Sequence, residues 1–275
     1  MTDLDEVSYA SPDDPPFKRL IIRAIEHVSG QPELKRMYLE RKNRPVPGES
    51  FWDAAVRKLR LNISFNAEAL GEIPAQGPVI VVANHPFGVI DGLVACWLVA
   101  HVRTDFKVLA HALLYRAEEV RRFMLPIDFE ETRAALETNV KSRAEATALV
   151  KRGGALIVFP SGMVSTTPHL LARQAKDPDW KTFTARMIVQ GKAPVVPIYF
   201  HGQNSCLFQI VSHASMTLRL SLLLKEAHDR IGSDITLHIG KRLPYEDLTA
   251  IHDRKELMAF LRERTYALAG QAAKP

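Results

Sequence analysis

The run Val79-Ile80-Val81-Val82-Ala83 is apolar without a break and passes straight into Asn84-His85-Pro86-Phe87-Gly88. A strand with no polar position has no face to offer water. It must be covered on both sides, as strands are in a largely parallel sheet flanked by helices. Leu156 to Phe159 repeats the pattern. Strands are expected over 62–65, 78–83, 106–110, 124–128, 155–159, 195–200 and 235–239. They alternate with helical patterns over 91–100, 131–150, 180–190, 214–230 and 254–269. Such alternation predicts an α/β fold with a mixed, largely parallel central sheet flanked by helices. No Pro/Gly/Ser-rich linker divides residues 61–275, which read as one domain.

Residues 1–60 read as a separate N-terminal helical element. Residues 1–14 hold five acids and no base, whereas 15–60 hold eleven Lys and Arg against five acids. Phe17, Leu20, Ile21, Ala24, Ile25 and Val28 fall on one helical face, with Lys18, Arg19 and Arg23 off that stripe. A second helical run opens at Pro32, and a third spans 51–59 with Trp52, Val56 and Leu59 on one side. Two readings stay open. These helices pack on the core, or they form a platform on a membrane surface, with apolar residues inserted and bases near anionic headgroups. An acidic carrier protein would suit the same basic surface.

With 47% apolar and 24% charged residues the chain can bury a substantial core. Cys96 and Cys206 lie in no metal-binding or disulfide spacing, so neither a metal nor a disulfide is expected. No uncharged apolar stretch approaches the roughly 20 residues of a membrane span. The acidic start does not read as a signal peptide. The expected location is cytoplasmic, peripheral on the inner face of the membrane. Nothing resembles a nucleic-acid recognition motif.

Ligands of open α/β sheets bind outside the carboxyl ends of strands. His85 sits at such an end, and Asp91 follows where a helix begins. A histidine there can take a proton from an attacking hydroxyl near neutral pH. A carboxylate accepting from its other ring nitrogen fixes the tautomer and stabilises the imidazolium. A buried histidine satisfied by a helix-capping acid is the plainer alternative.

Asn84-His85 followed by a short spacer and Asp91 resembles the signature of the glycerolipid acyltransferases, which include the 1-acylglycerol-3-phosphate enzymes. Further blocks follow in the family's order. Met124-Leu125-Pro126-Ile127-Asp128 stands where the second motif does. Phe159-Pro160-Ser161-Gly162 with Ser165 looks like Phe-Pro-Glu-Gly-x-Arg-Ser, and Val195-Val196-Pro197-Ile198 like the late proline block. The resemblance covers residues 61–243. Asn-His-Pro-Phe-Gly-x-x-Asp-Gly and Gly202-Gln203-Asn204-Ser205 are closer to a bacterial branch labelled hemolysin, related to domains that complete ornithine lipids.

The resemblance implies a glycerol-3-phosphate acyltransferase-like fold with His85 as general base and Asp91 orienting it. The acceptor hydroxyl would attack an acyl thioester of coenzyme A or acyl carrier protein directly, with no bound cofactor and with backbone N–H groups meeting the oxyanion. Asn84, Pro86, Phe87, Gly88, Phe159, Pro160, Ser161, Gly162, Ser165 and Arg133 are the expected substrate contacts. Three departures stand out: five residues separate His85 from Asp91 where the family has four; Ser161 and Val164 replace its Glu and Arg; and the second motif lacks its Gly and Arg. Arginine is the preferred bidentate phosphate ligand, so the expected acceptor shifts from a glycerol phosphate towards a lysolipid such as lyso-ornithine lipid. Two other readings are a serine hydrolase using Ser161 or Ser165, without a Gly-x-Ser-x-Gly elbow, and a non-catalytic membrane-surface binding protein.

Overall fold

A computed structural model of the chain describes residues 30–112, 118–129, 132–169, 172–214 and 216–270. The acidic tail and the helix expected over 16–28 lie outside them. Helices α1 (Gln31–Asn43) and α2 (Phe51–Lys58) come first, the latter capped by Ser50, whose side chain accepts from Asp53 N–H. The core elements follow as β1 (Asn62–Ser64), β2 (Val79–Ala83), α3 (Val89–Ala100), β3 (Phe106–His111), α4 (Glu118–Arg121) and β4 (Met124–Ile127). Then come α5 (Arg133–Lys151), β5 (Ala155–Val158), α6 (Phe183–Gly191), β6 (Val195–Phe200), α7 (Cys206–Ala214), α8 (Met216–Asp229), β7 (Asp234–Ile239), α9 (Tyr245–Thr249) and α10 (Arg254–Tyr266).

The seven strands form one sheet in the order β1-β7-β6-β2-β5-β3-β4. All neighbours are parallel except β6 and β7. Every residue of β2 is buried, as its unbroken apolar run requires. Val79, Val81 and Ala83 face a cluster with Trp52 of α2, Val94 of α3 and Ala227 of α8. Ile80 and Val82 face Ala146 of α5, Ile188 of α6 and Leu261 of α10. The sheet is thus the middle of three layers.

The seven expected strands are all present. The helix expected over 214–230 is α8, and a further helix, α7, precedes it, with Ser205 Oγ accepting Phe208 N–H at 3.2 Å. Trp180 precedes α6 rather than opening it. Chain order places the ligand crevice. From β2 the chain passes through α3 to β3 on one side, while β6 flanks β2 on the other. The carboxyl end of β2 therefore lies at the switch point of the sheet, where such folds bind ligands.

Candidate active site

Asn84 is the first residue past β2. Its Nδ2 donates to Phe200 O at 2.9 Å and its Oδ1 accepts Phe200 N–H at 2.7 Å. The buried amide therefore extends the β2–β6 ladder by one step and fixes the backbone just before His85. It is spent on the sheet rather than turned towards a ligand.

The chain then turns on Gly88, at φ 82°. A Cβ there would lie 2.9 Å from Leu223 and 3.2 Å from Val164, so only glycine fits. Asp91, fully buried in the first turn of α3, reaches back over this turn. Its Oδ2 accepts Phe87 N–H at 2.8 Å and Gly88 N–H at 2.9 Å, and lies 3.0 Å from His85 Nδ1. The turn takes up the extra residue between His85 and Asp91. The carboxylate thus caps the helix and holds the imidazole at once.

The His85 ring stacks on Phe159, centroids 4.0 Å apart and planes 25° from parallel. With Nδ1 held by Asp91, Nε2 is the nitrogen left for a ligand. Two clefts meet at His85, Phe159, Val164 and Leu223. One, about 240 Å³, is apolar and runs between α2, α3, β3 and β4 past Trp52, Gly92, Leu93, Cys96 and Met124. The other, about 300 Å³, carries Arg143, Lys181 and Arg219 on its walls. His111 borders both; burial holds it below the usual histidine range.

Other expected site residues scatter. Phe87 is buried under the turn, with the Arg230 guanidinium 3.7 Å from its ring centroid, and Pro86 is buried as well. Phe159, Pro160 and Gly162 line the cation-bearing cleft. Ser161 is fully buried and donates to Met163 O at 2.7 Å, while Ser165 donates to Asp177. Neither hydroxyl is presented to His85 as a nucleophile. Arg133 lines neither cleft: its side chain is 92% exposed and bound to Glu137 one helical turn on. Arg143, Lys181 and Arg219 are bases that line the second cleft. They come from α5, the loop before α6 and α8, and no local spacing joins them. Lys107 pairs with Glu145 at 3.0 Å, and His201 with His238 at 2.8 Å.

Residues 19–273 match the family described as Acyltransferase. The chain belongs to the acyltransferase family. The glycerolipid acyltransferase resemblance of the motifs and the expected fold are thereby borne out, and this chain is an acyltransferase. It is similar to the lyso-glycine lipid O-acyltransferase of Phocaeicola vulgatus, 24% identical over 265 residues, covering 91% of this chain and 88% of that one. It is also similar to the lyso-glycine lipid O-acyltransferase of Bacteroides thetaiotaomicron, 21% identical over 261 residues, covering 91% and 90%. Among solved structures, the 1-acyl-sn-glycerophosphate (LPA) acyltransferase PlsC of Thermotoga maritima shares the fold of the acyltransferase. The TM-score is 0.50 at 18% identity, over 88% of this chain and 81% of that one.

Proposed function

We propose that this acyltransferase moves a fatty acyl chain from a thioester to the hydroxyl of a lysolipid, with His85 as general base and Asp91 as its orienting carboxylate. The observation that carries this reading is the His85–Asp91 pair at the junction of an apolar cleft and a cation-lined one. An acyl tail suits the first and an anionic headgroup the second. The hydroxyl oxygen attacks the thioester carbonyl as its proton passes to His85 Nε2. The C–S bond then breaks, and the departing thiolate of coenzyme A or acyl carrier protein takes the proton. Two buried serines engaged elsewhere support direct transfer over an acyl-enzyme.

The acceptor we favour carries an amino-acid headgroup, as in lyso-glycine or lyso-ornithine lipid, whose carboxylate or amide would meet Lys181 and Arg219. The names of the two curated relatives support that choice, and so does buried, apolar Val164 where an arginine would grip phosphate. Mass spectrometry of lipids from cells carrying wild-type or His85→Ala protein tests it. An accumulating amino-acid lysolipid is expected in the variant, and accumulating lysophosphatidic acid would point to the phosphate acceptor instead.

The apolar cleft yields a prediction of its own. A Cβ on Gly92 meets nothing within 4 Å, although Gly92 lines this cleft. Gly92→Leu therefore extends a side chain into the cleft and raises helix propensity in α3. Transfer of the longest acyl chains should fall about 10-fold or more relative to short ones, because pocket occlusion discriminates by methylene count. An unchanged chain-length profile in a competition assay contradicts the assignment.

The N-terminal element, residues 1–60, is proposed as the membrane-surface platform of the 61–275 catalytic domain. No described helix is long and apolar enough to cross a membrane. Arg36 of α1, Arg44 just past its end and Arg57 of α2 border a cleft with Leu39 and exposed Val46. Binding to anionic vesicles should weaken about 10-fold or more between about 0.1 M and about 0.5 M salt, as screening of exposed charges requires. Equal binding to neutral vesicles in flotation would remove the electrostatic part of the proposal.

A further inference from the structure

Asp177 is a buried carboxylate that the reaction scheme above does not use. It lies in the long loop between β5 and α6, and an antiparallel bridge between Thr166 and Lys176 sets Ser165 and Asp177 side by side. Its Oδ1 accepts the backbone N–H of His85 at 3.1 Å and the Ser165 hydroxyl, and its Oδ2 accepts Trp180 Nε1–H at 2.9 Å. Ser165 N–H donates to His85 O at 2.8 Å. Both backbone polar groups of His85 are therefore gripped by one loop. That loop is tied in turn to α10: Asp177 N–H donates to the Tyr266 hydroxyl at 2.8 Å, and Arg262 Nη2 donates to Asp177 O at 2.8 Å.

We infer that Asp177 is a positioning residue for the general base, holding His85 over the junction of the two clefts while Tyr266 and Arg262 brace it from α10. This rests on the assignment of His85 as base. Asp91 fixes the rotation of the imidazole from one side, and Asp177 fixes the backbone that carries it from the other. A base must lie within hydrogen-bond reach of the hydroxyl it deprotonates, and small displacements cost rate rather than affinity. Burial pushes the Asp177 carboxyl up, against the pull of Ser165, Trp180 and His85 N–H. A group raised in this way contributes stability below its unfolded pKa and loses it as pH rises through the folded one. A carboxylate is therefore a costly choice for filling this space at neutral pH, and buried groups perturbed by desolvation gather at functional sites.

The test uses the full-length protein with an acyl thioester and a lysolipid, and compares Asp177→Asn, Ser165→Ala, Tyr266→Phe and His85→Ala. In Asp177→Asn, kcat should fall about 10- to 100-fold with KM for the lysolipid little changed, the scale of one hydrogen bond to a charged group. Ser165→Ala and Tyr266→Phe should lower kcat about 2- to 10-fold, again without a matching change in KM. A merely structural Asp177 would lower the melting temperature and leave kcat per folded molecule intact. That result, with His85→Ala inactive, overturns the inference alone. A His85→Ala protein that keeps its activity overturns the reading of the base itself. If Asp177→Asn does not fold, the other two variants decide. Lowered kcat at constant KM supports the inference, and kcat within about twofold of wild type in both overturns it.

Discussion

His85→Ala is expected to lower kcat for acyl transfer by about 1,000-fold while the protein stays folded, the scale on which a positioned general base contributes. The His85 imidazole lies where the two clefts meet, and the Asp91 carboxylate holds its Nδ1. Removing it costs the fold little. The side chain is 18% exposed and its main apolar partner is the Phe159 ring, a stack worth about 1 kcal/mol. Asp91 keeps its bonds from Phe87 and Gly88 N–H. Thermal melts beside steady-state kinetics separate the two effects. A variant that loses activity only in proportion to its folded fraction contradicts the role.

Asp91→Asn is the second large effect, about 100-fold or more in kcat, and it isolates charge from shape. The three donors to Oδ2 are all N–H groups, so an amide oxygen can take its place. The amide nitrogen then occupies the site of Oδ1, which is buried without a hydrogen-bond partner. What is lost is the negative charge that stabilises the imidazolium as the proton arrives. Asp91→Ala differs in kind, because it strands two backbone N–H groups in the core at about 1–3 kcal/mol each. The expected pattern is a folded, nearly inactive Asn variant and a destabilised Ala variant. Near-wild-type kcat in Asp91→Asn would reduce Asp91 to a helix cap.

Parts of this site were legible in the sequence for physical reasons. An unbroken apolar strand that ends on Asn-His and leads into a helix fixes where His85 must sit, because strand burial and strand direction are local signals. The pairing with Asp91 spans six residues and one turn, and needs only Gly88 to close. Asp177 could not be found in this way. It meets His85 across 92 residues of chain through a two-residue bridge that has no periodicity. Arg219 and Lys181 reach the cleft from separate elements, whereas Arg133 was suggested by its place just after β4. The first turn of α5 instead directs Arg133 to solvent, where Glu137 meets it. Ser161 and Ser165 show the same limit. Their motif was readable, but their use as buried loop fasteners depends on partners that only the folded loop brings near.

The most direct test of lysolipid acyl transfer is product analysis with purified protein, an acyl thioester and a panel of lysolipids that includes lyso-glycine, lyso-ornithine and lysophosphatidic acids. The account predicts an O-acylated amino-acid lipid by mass spectrometry, one free thiol released per ester formed, and neither product with His85→Ala. Thiol release matched by free fatty acid, with no lipid acylated, would contradict it.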